Sequence, residues 1–266
     1  MSHPTQASTC NSLLKALSAE DYRLLARHLD RVRLNKGHVL SEPNEPVRHI
    51  CFPEAAIGSV IAISPDGHSI EASIIGCEGL SSLAAVHDDR QSPHRTVIQV
   101  EGNALRIGAE ALQAAMDLSP SLAKLLQRYA QAIYVQTTYT ALSNSHHGIE
   151  ERLARWLLMC HDRSDGDEMP LTHEFLALML DVRRPSVTTA LHVLEGMHFI
   201  RTNRGRVIIR DRPGLEDFAR DAYGIPEAEY ARLVGPMPKA EALAAAARSR
   251  EANQRQINRM ERGLEE

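Results

Sequence analysis

At 266 residues the chain has room for two modest domains with separate cores. Its 43% hydrophobic and 24% charged residues describe a folded globular protein and exclude a disordered or collagen-like chain. A formal charge of -4 excludes a body coated in positive potential, so a polyanionic partner would have to meet a local basic face.

Cys10, Cys51, Cys77 and Cys160 are scattered without a CxxC pair, which supports neither a zinc knuckle nor a disulfide framework and fits a reducing compartment. Residues 1–11 lack the basic start and apolar stretch of a secretory signal, and no apolar run approaches the roughly 18 residues that span a bilayer. The expectation is a cytoplasmic protein with no membrane contact.

In chain order, Leu13, Leu14 and Leu17 precede Ser18, a candidate N-cap with Glu20 and Asp21 in the following turn, and Leu24, Leu25 and Leu29 continue that helical stretch. The period then changes. Short β-rich runs at 39–40, 49–52, 57–63, 69–75 and 96–100 alternate with turn clusters at 41–44, 64–67 and 88–93, the pattern of a barrel or jelly roll. Ser119 and Pro120 then suit the cap and first turn of a new helix.

That helix, expected to run to about residue 144, places Leu122, Leu126, Tyr129, Ile133, Gln136 and Thr140 at steps of four and three, the seam spacing of a helix pair. A helix packed on its own β domain would show a similar stripe. A second helix over 148–161 carries Ile149, Leu153, Trp156, Leu157 and Cys160 on one face, and a polar loop follows over 163–168.

Residues 171–210 are the most informative. They read as helix, tight turn, helix, with Val187, Ala190, Leu191 and Leu194 on the inner face of the second helix. Pro185 is readily accepted only in a first turn, which sets the start of this helix near Arg183 or Arg184 and leaves Gly196 to end it. A two-stranded hairpin is expected next, around Asn203, Arg204 and Gly205. Seven arginines between 182 and 212, against Glu195 and Asp211, give this stretch a local charge of +5. Arginine forks grip phosphate or guanine edges, and short hydroxyls such as Ser186, Thr188 and Thr189 can approach backbone or bases. A solvated arginine-rich face would look similar; the paired helices, short turn and hairpin together favour duplex DNA as the partner.

With those residues in view, the stretch from about 13 to 234 resembles the Crp/Fnr family of bacterial regulators. The resemblance implies an α+β chain: an N-terminal β jelly roll of the cyclic nucleotide-binding kind over 13–118, a long dimerisation helix over 119–145, and a winged helix-turn-helix over 146–235. It implies a homodimeric, sequence-specific transcription regulator, with RNA polymerase open to it as a further partner. By the family's pattern, Arg184, Pro185 and Thr189 fall at base-contacting positions and Arg183, Ser186, Thr188 and His192 at phosphate-contacting ones, with Arg204 and Arg206 on the wing. Pro185 departs from the glutamate that many members carry there, so the target sequence does not carry over.

In the β domain, Gly76, Glu78 and Gly79 resemble the family's cradle for a cyclic nucleotide phosphate, Arg95 and Thr96 its Arg-Ser/Thr pair, and Thr137 and Thr138 its purine contacts. Cys77 stands where cyclic AMP binders carry the ribose-holding glutamate, which leaves the effector open between a cyclic nucleotide, another molecule and none. Cys10 alone cannot supply the family's iron–sulfur ligands, and His87, His94, His146 and His147 single out no haem ligand. No metal site is expected. Catalysis is not expected either, because His49 and His68 lack the spaced ligand cluster of a cupin enzyme. A signalling adaptor that binds a ligand but no DNA is the rival reading. Residues 236–266 form a helix-prone extension with a thin apolar stripe.

Overall fold

The computed structural model describes residues 4–239, so the expected extension is described only over 236–239 and the rest of it lies outside the described residues. The chain opens with α1 (Ser12–Lys15) and α2 (Ala19–Ala26). Asn11 and Ser18 cap them, each side chain accepting from a backbone N–H three residues on.

Seven strands follow: β1 (Asp30–Leu34), β2 (Val39–Ser41), β3 (His49–Pro53), β4 (Ile57–Ile63), β5 (Ser69–Ile75), β6 (Arg95–Val100) and β7 (Gly102–Gly108). They form two antiparallel sheets, ordered β1-β7-β3 and β2-β6-β4-β5. The five strands expected from the sequence lie within a residue of their places, and β1 and β7 are additional. Side-chain alternation gives the three-stranded sheet two buried faces. Leu34, Cys51 and Ala104 meet Ala56 and Ile98 inside the roll, while Ile50, Phe52, Leu105 and Ile107 pack outward on α1, α2 and α3 (Ala109–Leu118).

The long helix α4 (Pro120–His146) starts where Ser119 accepts from the Leu122 N–H, as expected. Its predicted seam, however, faces inward. Leu122, Leu126, Tyr129, Ile133, Gln136 and Thr140 are all buried against the chain's own roll and its C-terminal helix α9 (Ile225–Leu233). Gln136 Oε1 accepts from the Ile74 N–H of β5 at 2.9 Å, and the Thr140 hydroxyl accepts from Arg155 at 3.0 Å. A stripe at four-three spacing reports burial without naming what does the burying. The face left outward carries Lys124, Gln131, Tyr134, Thr138 and Leu142, with Tyr134 63% and Leu142 40% exposed.

The C-terminal module comprises α5 (Ile149–His161), β8 (Glu168–Met169), α6 (His173–Met179), α7 (Arg184–Gly196), β9 (Ile200–Asn203), β10 (Arg206–Ile209) and α8 (Arg212–Ala219), and it precedes α9. Its core of Leu153, Trp156, Leu176, Val187, Leu191, Leu194 and Val207 is continuous with Ile57, Ile61 and Ile74 of the roll. Two expectations, on the wing and on Arg163, need correction here. The wing has three strands, ordered β8-β10-β9, because Glu168 and Met169 pair with Ile208 and Val207. α7 ends at Gly196, as expected, and the left-handed residue beyond it is His198, at φ 63°. Arg163, read as part of a solvated loop, is buried.

Candidate nucleic-acid interface

The first turn of α7 is set by Pro185, which needs no N–H partner there. Val187, Ala190, Leu191 and Leu194 anchor the helix with no exposed surface. That anchoring turns Arg183, Arg184, Pro185, Thr189 and His192 outward, and leaves Ser186 and Thr188 half-buried. The Thr188 hydroxyl is already engaged, 2.9 Å from His173 Nδ1 and 3.2 Å from the Arg184 carbonyl. Thr189 donates to the Pro185 carbonyl at 3.2 Å and is exposed.

Arg184 Nε lies 2.9 Å from Glu174 Oε1, and both side chains are about two-thirds exposed, so the guanidinium is oriented by a pair that solvent screens. The wing presents Arg204 beside Gly205, whose φ of 69° makes the two-residue turn, and Arg206, which pairs with Glu168. Helix and wing are tied together by Glu195. Its two oxygens accept from the Thr202 N–H and hydroxyl, both at 2.9 Å, and the backbone bond above all holds this carboxyl below its usual range. Between them lies a cleft of about 380 Å³ whose walls include His173, Glu174, Arg184, Asn203 and Arg204. His173 and Glu174 escaped the sequence reading because only the fold of the turn brings the first turn of α6 beside that of α7.

The residues singled out for an effector do not converge. A cavity of about 300 Å³ lies between the four-stranded sheet, the chain after β5 and α4, and of those residues only Thr96 and Thr137 line it. Its other polar walls include Ser81, Ser82, His87, Asp89 and His94. Glu78 turns away into the protein, where Oε1 accepts from Arg163 Nε at 2.8 Å and its carbonyl accepts from the Tyr230 hydroxyl at 2.8 Å. Gly76 and Gly79 are spacers for that packing. A Cβ on Gly76 would stand 2.9 Å from the Arg163 side chain, and one on Gly79 only 1.9 Å from the Tyr129 oxygen. A Gly79→Ala protein is therefore expected to lose about 1–3 kcal/mol of stability in a denaturant titration. Arg95, half-buried, is paired with Glu42 at 3.2 Å, and Thr138 lies on the exposed face of α4. Among the described residues no arginine or lysine lines the cavity, so a cyclic nucleotide phosphate does not fit it by charge. Nor do any three His, Cys, Asp or Glu side chains among them group as a metal site.

Residues 151–218 match the family model of the Crp-like helix-turn-helix domain. Among solved structures, a regulator assigned to the Crp/Fnr family from Eubacterium rectale matches with a TM-score of 0.60 at 18% identity, covering 78% of this chain and 97% of that one. FixK2 from Bradyrhizobium japonicum gives a TM-score of 0.60 at 14% identity, covering 71% and 96%. CLP of Xanthomonas campestris, a c-di-GMP-responsive global regulator, gives 0.56 at 16%, covering 72% and 99%. No curated protein matches the chain. The domain and the fold together define a DNA-binding transcription regulator. A Crp-like helix-turn-helix domain stands behind a β roll, in a fold shared with the Crp/Fnr-family regulator of solved structure.

Proposed function

We propose that the protein acts in the cytoplasm as a homodimer that sets two copies of α7 into successive major grooves, about 34 Å apart, on a near-palindromic site. The carrying observation is the outward face of α7, where Arg183, Arg184, Pro185, Thr189 and His192 stand beside the cationic wing. In this reading Arg184, Pro185 and Thr189 meet base edges, while Arg183, Ser186, His192, Arg204 and Arg206 meet phosphates. Thr188, held by His173, serves the helix more than the DNA. Residues 13–118 form the sensor, 119–145 the joining helix and 146–235 the reader. The cavity bounded by Thr96 and Thr137 is the effector site, and the absence of arginine and lysine from its lining among the described residues favours an effector without a phosphate group.

The test is DNA binding measured against salt. Log affinity is expected to fall linearly with log salt, with a slope of about -0.9 per phosphate contacted. Arg184→Ala is expected to cost about 1–3 kcal/mol and to relax preference at the base pair it reads. Arg204→Ala is expected to weaken all sequences alike and to reduce the slope by about one. Weak binding that ignores salt would overturn the proposal in favour of an adaptor that works without DNA.

A further inference from the structure

A second buried carboxylate lies between the roll and the C-terminal module. Glu71 of β5 is 6% exposed. Its Oε1 accepts from Trp156 Nε1 of α5 at 2.7 Å, and its Oε2 is bonded to the Ser59 hydroxyl of β4. It pairs across the sheet with Ile61, and both Ile61 and Trp156 belong to the apolar core shared by roll and module, with Ile57, Ile74, Leu157 and Phe175. The other groups that face it are Arg155 and Cys160 of α5, Arg163 beyond α5, and Met179 of α6, whose sulfur is 3.2 Å from the Ser59 oxygen. Neither arginine touches it, because Arg155 donates to Thr140 and Arg163 is committed to Glu78. Among the described residues the two groups hydrogen-bonded to the carboxylate are neutral donors, and the two arginines act on it only from a distance.

We propose that Glu71 is a proton-operated latch on the seam between roll and C-terminal module, tight when the carboxyl is protonated and looser when it is ionised. Both states have partners. The protonated acid donates to Ser59 Oγ, which donates in turn to Met179 Sδ, and the ionised form accepts from Ser59 and Trp156. The direction follows from burial. Taking a carboxylate out of water without a contacting cation favours its neutral form, and burial pushes Glu71 up from 4.5 to about 7 against the opposing pull of Ser59, Trp156, Arg155 and Arg163. With the seam open, the acid titrates as an ordinary carboxyl. The closed seam therefore binds more protons between about 4.5 and about 7, and its stabilisation is full below that window and lost as pH rises through it. The shift is worth on the order of a hundredfold in the closing equilibrium.

Trp156 is the only tryptophan in the chain, so its emission reads the latch directly. On the full-length protein, a titration from about pH 5 to about pH 9 is expected to show one transition near neutrality, with amide exchange in α5 about tenfold faster on its alkaline side after correction for intrinsic rates. An infrared carboxyl band is expected to vanish at the same midpoint. Glu71→Gln, a neutral isostere, is expected to abolish the emission transition and hold exchange slow throughout. Should that variant not fold, Ser59→Ala removes a donor to the ionised form and is expected to raise the midpoint. A transition that survives in E71Q, a midpoint unmoved in S59A, or no carboxyl band titrating near neutrality each overturns the latch. The latch needs only the seam, so it stands or falls separately from DNA reading.

Discussion

Arg163→Met is expected to destabilise the protein by about 3–5 kcal/mol, seen as a lower urea midpoint and a melting temperature down by roughly 10 °C. Arg163 and Glu78 side chains are 3% and 0% exposed, and they join the turn after α5 to the loop after β5. Arg163 also donates to the Met159 carbonyl at 2.7 Å, which fixes the guanidinium. Burial works against its charge, but Glu78 and Asp162 more than offset that and hold it protonated. Removing the arginine strands a carboxylate whose other oxygen has no partner among the described residues. The loss belongs to the stranded charge rather than to the bond, so the double change Arg163→Met with Glu78→Leu is expected to recover most of it. A single variant that loses less than about 1 kcal/mol would show that water reaches the pair.

The second large effect concerns assembly. Replacing both Tyr134 and Leu142 with glutamate is expected to leave a folded monomer whose affinity for a two-half-site duplex is lower by on the order of a hundredfold or more, while a single half-site binds as before. Both residues are exposed on the face of α4 turned away from the roll, with Thr138 between them. Apolar side chains at that spacing suit a second copy of the same helix, and like charges placed there repel it. Sedimentation checks the mass and fluorescence anisotropy the affinity. Monomeric wild-type protein at concentrations where DNA is bound would remove the dimer from the proposed function.

The contrast between these two sites shows what local chemistry reveals. Pro185, the Ser119 cap and the Arg204-Gly205 turn were legible because each constrains the backbone within a few residues. The α4 stripe was legible as buried, but its partner was not. Arg163 and Glu78 lie 85 positions apart, and nothing near Arg163 distinguishes it from a solvated loop residue. β1 was hidden because Asp30, Arg31 and Arg33 interrupt its apolar residues, and β7 because Gly102 and Gly108 bracket it. Thr137 and Thr138 could not both face the cavity, since neighbours on a helix diverge by about 100°.

The C-terminal path has a mechanical consequence. The chain enters the reader from α4 through α5 and leaves it through α8 and α9, and α9 lies back on α4. Tyr230 of α9 is anchored on the Glu78 carbonyl, and Lys239 reaches the Gly166 carbonyl at 2.7 Å. The module is thus attached to one rod at both ends of its chain path, through α5 at the entry and through α9 at the exit. In the proposed function, a change in the tilt of α4 is therefore expected to reach α7 through both attachments, as a change in the angle of the helix more than in its distance from the roll.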